Sequence, residues 1–99
     1  MPETGSAIGT GARPRLAPKV RLRWDRKDGR YMLLYPERGL VLNATAADVV
    51  QLCTGEHTVA AIVERLVEKY APHPREAVER EVLTFLNAMA ERALIRSDE

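Results

Sequence analysis

Few side chains in this sequence have the type and spacing of a catalytic or metal-binding set. His57 and His73 stand 16 positions apart, and neither has a cysteine or carboxylate at metal-ligand spacing, which argues against a zinc site. Cys53 is the single cysteine, and its place in an apolar helical pattern indicates a buried small hydrophobe. No phosphate-binding glycine loop or nucleophile elbow is present. We therefore expect neither an enzyme nor a bound cofactor or metal.

The acidic residues near position 80 have a simpler explanation than acid–base chemistry. Glu76, Glu79 and Glu81 open a predicted helix, where the positive end of the helix dipole favours carboxylates. A chain of 99 residues forms one small domain with little room for an internal active site. A site on the surface is the better expectation.

Charge is unevenly distributed along the chain. Residues 1–38 carry nine Lys or Arg and four Asp or Glu, whereas residues 39–99 carry six and ten, although the net charge is only +1. The basic half either faces acidic partners or is a solvated face, and both alternatives stay open. No apolar run is long enough to span a bilayer, and the N-terminus lacks the apolar centre of a secretory signal, so we expect a cytoplasmic protein without a membrane contact.

The chain divides into a tail and one domain. Residues 1–14 are rich in Gly, Pro, Thr and Ala without periodicity, which predicts a disordered N-terminal tail. The pattern that follows predicts a single domain over residues 15–97. Apolar residues alternate with arginine from Val20 to Trp24, which is typical of a strand with one basic, solvent-facing side.

Two further strands and three helices follow. Asp28-Gly29 predicts a hairpin turn into a strand over residues 31–35, and Pro36 and Gly39 precede a third strand over residues 40–42. Helical periodicity then predicts a first helix before Gly55, a second from Thr58 to Tyr70 and a third from Pro74 onward. The sequence thus predicts an α+β fold, with a small three-stranded antiparallel sheet followed by three helices.

Two of these elements offer binding chemistry. If the third strand is an edge strand, its free backbone groups can accept an extended peptide as an added strand. On the third helix, Leu83, Ala90 and Leu94 widen the apolar surface beyond the usual stripe. The alternatives, a covered strand and a deeply buried helix, stay open at this point.

A block of residues in the sheet region resembles the PqqD family, whose members act in the biosynthesis of pyrroloquinoline quinone. The block reads Leu33-Leu34-Tyr35-Pro36-Glu37, then Leu40-Val41-Leu42-Asn43, Thr45, Leu52-Cys53 and Gly55. The resemblance extends from about Arg15 to Ile95. The family often has Asp-Gly where this chain has Thr54-Gly55, and Asp-Val where it has Glu81-Val82.

The resemblance implies a winged-helix-like fold and a peptide chaperone without turnover. In that family the precursor peptide lies along the third strand and against the third helix. The complex then meets a radical S-adenosylmethionine enzyme, which crosslinks a Glu and a Tyr of the peptide. Carried over to this chain, the peptide-binding residues are Leu40, Val41, Leu42 and Asn43 on the strand and Leu83, Leu86, Asn87 and Ala90 on the helix.

A winged-helix DNA-binding regulator is the second interpretation. It would use Arg13, Arg15, Lys19 and Arg21 on phosphates. The acids at the start of the third helix argue against it, so we expect no nucleic-acid partner. The short loops permit domain swapping, which leaves a homodimer open.

Overall fold

The computed structural model describes residues 8–98 and confirms the predicted α+β fold. Its elements are, in chain order, β1 (Arg13–Leu16), β2 (Arg21–Asp25), β3 (Arg30–Tyr35), β4 (Arg38–Val41), α1 (Ala44–Gln51), α2 (Val59–Lys69), α3 (Arg75–Glu91) and β5 (Ile95–Asp98). The three predicted strands correspond to β2, β3 and β4, and the three helices follow in the expected order. β1 and β5 are additional.

The central sheet has the antiparallel order β2-β3-β4. Leu22 pairs with Leu33 and Leu33 with Leu40, so one face of the sheet carries a row of leucines. The Leu33 side chain is 0% exposed because the helices cover this face at its centre. β3 is therefore the buried middle strand, and β2 and β4 are the edges.

A second, two-stranded ribbon joins the two ends of the domain. β1 pairs antiparallel with β5, and Arg13 lies opposite Asp98 and Leu16 opposite Ile95. Neither strand was predicted, because each is four residues long and its partner lies about 80 positions away, so no local turn signal connects them.

The N-terminal boundary of the domain differs from the predicted one. Ile8 and Ala12 are 5% and 4% exposed and belong to the core, and β1 already begins at Arg13. The backbone of residues 8–14 is held by distant partners: Val59 N–H donates to Ala12 C=O at 2.9 Å, and Gly55 N–H donates to Pro14 C=O at 3.0 Å. The predicted tail is thus corrected for residues 8–14, because tertiary hydrogen bonds and burial offset the ordering entropy. Its first seven residues lie outside the described part of the chain.

The helices begin at capping residues and pack through their apolar stripes. The Asn43 side chain accepts from Ala46 N–H at 2.7 Å at the start of α1, and the Thr58 hydroxyl accepts from Ala61 N–H at 3.1 Å at the start of α2. α3 packs on α2, β5 and α1. None of the helices within residues 8–98 has both the length and the apolar character needed to cross a membrane.

The Cys53 thiol is buried, as predicted, and burial raises its pKa to about 12 from an ordinary value of 9.0. At pH 10 the unfolded chain therefore loses this proton while the folded chain keeps it. We expect Cys53 to lower the free energy of unfolding by about 1 kcal/mol at pH 10 relative to pH 8.

Urea unfolding at both pH values checks this prediction. Cys53→Ala is the control, since the other titrating groups act equally in both proteins. An equal loss of stability in the variant and the parent would contradict the assignment to Cys53.

Candidate peptide-binding groove

β4 presents an unpaired backbone edge. Leu42 N–H donates to Tyr31 C=O at 3.0 Å, and the register pairs Met32 with Val41 and Leu34 with Gly39. Because hydrogen-bonded and non-hydrogen-bonded pairs alternate in an antiparallel ladder, Val41 and Gly39 direct their N–H and C=O groups away from β3. No strand among residues 8–98 pairs with this side of β4. The edge can therefore accept an added strand.

The four predicted strand residues contribute to this edge unequally. Val41 is 48% exposed, Leu40 is half-buried, and Leu42 is buried in the core. Asn43 already uses its side-chain oxygen as the cap of α1. The edge thus offers mainly backbone groups, together with the exposed side chain of Val41.

Two contacts of α3 indicate how it lies relative to β4. Near the end of α3, the Arg92 guanidinium donates to the Tyr35 hydroxyl at 3.1 Å, and Tyr35 pairs with Arg38 at the start of β4. Near the beginning of α3, Glu81 lines a cleft together with Thr45, which follows β4 in the chain. Both ends of the helix segment are therefore placed beside the two ends of the strand.

Helical periodicity then identifies the side of α3 that faces β4. Phe85 and Ala88 fall on one stripe with Glu81 and Arg92, at positions i, i+4, i+7 and i+11. This stripe spans eleven residues, or about 16 Å, the length of about five residues of extended chain. We call the space between it and the Gly39 and Val41 backbone the edge groove.

The predicted helix residues lie elsewhere on α3. Leu86 is 0% exposed inside the core. Leu83 and Asn87 are each about 160° from Phe85 around the helix axis, and Ala90 is half-buried on their flank. By this periodicity the four residues lie away from the edge groove, and their contact with a peptide stays a prediction.

The flank with Leu83 and Asn87 is occupied by the N-terminal segment of the chain itself. The Asn87 side-chain oxygen accepts from Ile8 N–H at 2.7 Å, and its amide nitrogen donates to Ile8 C=O at 3.4 Å and to Leu83 C=O at 2.9 Å. Ile8 and Leu94 are buried in the core, and Leu83 and Ala90 pack against the same core, which accounts for the wide apolar surface of α3 that the sequence indicates. The sequence did not predict a binding role for the stripe with Phe85, because Phe85 was assigned to the core. The spacing of Glu81, Phe85 and Ala88 at i, i+4 and i+7 could have shown that they share one side of the helix.

The charged groups of the described residues are spread over the surface of the domain. No group of three or more His, Cys, Asp or Glu side chains between residues 8 and 98 is arranged to hold a metal ion. Arg21, Arg23 and Arg30 are exposed on the sheet face that points away from the helices. The geometry is that of a surface for binding an extended chain.

Fold and edge together define a small α+β binding domain whose central sheet is open to a further strand. Residues 30–95 match the family model described as coenzyme PQQ synthesis protein D (PqqD). The chain belongs to the PqqD family.

Characterised relatives agree with this assignment. The chain is 41% identical to the PqqA binding protein of Methylococcus capsulatus over 68 residues, which cover 69% of this chain and 73% of that protein. It is 33% identical to the PqqA binding protein of Bradyrhizobium diazoefficiens over 89 residues, covering 90% and 85% of the two chains. In Methylorubrum extorquens the similar segment is 22% of a bifunctional coenzyme PQQ synthesis protein C/D, at 34% identity.

A solved structure has the same fold. The solution NMR structure of the PqqD truncation of Methylobacterium extorquens PqqCD superposes with a TM-score of 0.78 at 30% identity, covering 92% of this chain and 96% of that one. That protein is described as a functional, stand-alone recognition element for ribosomally synthesised and post-translationally modified peptides.

Proposed function

We propose that this chain binds a PqqA-type precursor peptide as an added strand along β4 and presents it to the radical S-adenosylmethionine enzyme that crosslinks it. The observation that carries the proposal is the unpaired edge of β4 beside the stripe of α3. The relatives named as PqqA binding proteins support the choice of peptide.

The edge groove fits an extended peptide on two sides. Backbone hydrogen bonds to Gly39 and Val41 would fix the direction and register of the peptide without depending on its sequence. Alternate side chains of the peptide would then point toward Phe85 and Ala88, where apolar contact adds selectivity. The groove length of about 16 Å limits this recognition to a short segment of the peptide.

In this proposal the chain positions the peptide and does not itself catalyse a reaction. A peptide held on a small domain reaches the enzyme at a high effective concentration and in one orientation. The exposed Arg21, Arg23 and Arg30 give this domain a basic face for an acidic surface of the enzyme or of the peptide. Because the proposed partner is a ribosomally made peptide, we expect this encounter in the cytoplasm.

Calorimetric titration of the purified protein with synthetic PqqA peptide tests the function directly. We expect saturable one-to-one binding that changes little between 50 and 200 mM salt, because backbone hydrogen bonds and apolar contacts dominate it. A DNA duplex titrated in parallel tests the regulator hypothesis. Steeply salt-dependent DNA binding without a peptide signal would overturn the proposal.

A further inference from the structure

A cleft lies at the end of the edge groove where α3 begins. It has a volume of about 430 Å³ and lies between the start of α1, the end of α2 and the start of α3. Thr45, from the chain just beyond β4, lies on one side, and Glu81, the first residue of the α3 stripe, lies on the other. An added strand that follows β4 toward its C-terminal end would therefore lead into this cleft. We call it the end cleft.

The wall of the end cleft is apolar. Leu66 and Val78 line it with buried side chains, one from α2 and one from α3. Methylene groups of an incoming side chain would be removed from water against this wall, which favours binding. The wall thus favours a long side chain over a short one.

The rim of the end cleft is rich in hydrogen-bond acceptors. Glu81 is exposed and has no ion-pair partner among residues 8–98. The Tyr70 hydroxyl donates its proton to Asp48, and this hydrogen bond is the main reason that the pKa of Tyr70 is raised. The phenol oxygen in turn accepts from the Thr45 hydroxyl, a contact that opposes the rise in pKa. His73 also lines the cleft, and none of the described lysines or arginines does. The Glu81 carboxylate is therefore the charged acceptor that the cleft offers to a ligand.

We infer that the end cleft is a subsite for the side chain of a lysine or arginine of the bound peptide. The aliphatic stem packs on Leu66 and Val78, and the cationic group lies at the Glu81 carboxylate. The charge complementarity of an unpaired carboxylate above an apolar wall selects this occupant over a wholly apolar side chain. This inference rests on the proposed function, because the peptide backbone must follow β4 for its side chain to reach the cleft.

A double-mutant cycle between protein and peptide tests the inference. Each Lys and Arg of synthetic PqqA peptide is replaced singly by norleucine, and each peptide is titrated into the parent protein and into Glu81→Gln. We expect one replacement to weaken binding to the parent roughly fivefold, and the same replacement to have no effect on Glu81→Gln. Glu79→Gln is the control, since Glu79 lies on the same helix but outside the cleft.

The outcomes separate the subsite from the proposed function. If the unaltered peptide binds but every replacement has the same effect on the parent and on Glu81→Gln, the subsite is refuted and the function stands. Tighter binding of a norleucine peptide to the parent would identify the cleft as an apolar pocket. If the unaltered peptide does not bind the parent protein, the proposed function fails and the subsite fails with it.

Discussion

Val41→Pro is expected to weaken binding of PqqA peptide roughly ten- to a hundredfold. Proline has no N–H to donate, and the N–H of Val41 points to the outer edge of β4, where an added strand would accept from it. A carbonyl of the peptide then stays without its partner, which costs about 1–3 kcal/mol. Proline is tolerated at an edge strand when its nitrogen faces solvent, so the fold should be retained.

Val41→Ala is the matched control, because it removes most of the exposed side chain and keeps the N–H. Calorimetry measures the affinities, and the amide NMR spectra of both variants report whether the sheet is intact. Equal affinities of Val41→Pro and Val41→Ala would show that β4 does not pair with the peptide.

A scan of the peptide gives the same information without changing the protein. Single backbone N-methyl groups, introduced at successive peptide positions, should weaken binding at alternate residues only, because every second N–H of an added strand faces β4. A helical ligand would give no such period of two.

Ala88→Trp is expected to weaken peptide binding to a similar extent. Ala88 is exposed on the stripe of α3 that faces β4, between Phe85 and Arg92. An indole at this position would fill the edge groove, and displacing it costs the bound state about 1–3 kcal/mol, or roughly ten- to a hundredfold in affinity. The stability of the free protein should change little, since the substitution is on the surface.

Two further variants on α3 make this result specific. Arg80→Trp introduces the same indole at an exposed position 140° from Phe85 around the helix axis and should leave the affinity unchanged. Leu83→Asp tests the flank beside Ile8, which the family resemblance assigned to the peptide. A strong loss of binding in Leu83→Asp without unfolding, and none in Ala88→Trp, would move the peptide to that flank and overturn the groove described above.

The family resemblance predicts which helix contacts the peptide better than it predicts which residues of that helix do so. The resemblance placed the peptide against the third helix, and the helix does run beside β4. The residues that face β4 depend on the rotation of the helix about its axis, which a shift of two positions changes by 200°. Phe85 and Leu83 are such a pair, so a shift of two positions exchanges the groove wall for the flank that Asn87 shares with Ile8.

The sequence by itself determined the elements whose signals are local. Alternation from Val20 to Trp24, the turn at Asp28-Gly29 and the start of the second helix at Thr58 each act over a few residues, and each has its counterpart in the structure. The family could likewise be recognised from the block of residues that begins at Leu33, because that block contains the residues that set the strand ends and the start of α1.

Only the tertiary structure decided the features that join distant residues. The ribbon of β1 and β5, the contact of Ile8 with Asn87, the position of β4 at the edge and the end cleft beside Glu81 all bring together segments that are far apart in the chain. Such contacts repay the entropy of ordering through burial and hydrogen bonds that exist only after folding, and no local periodicity encodes them. A binding surface formed between a strand and a helix more than 30 residues apart is of this kind.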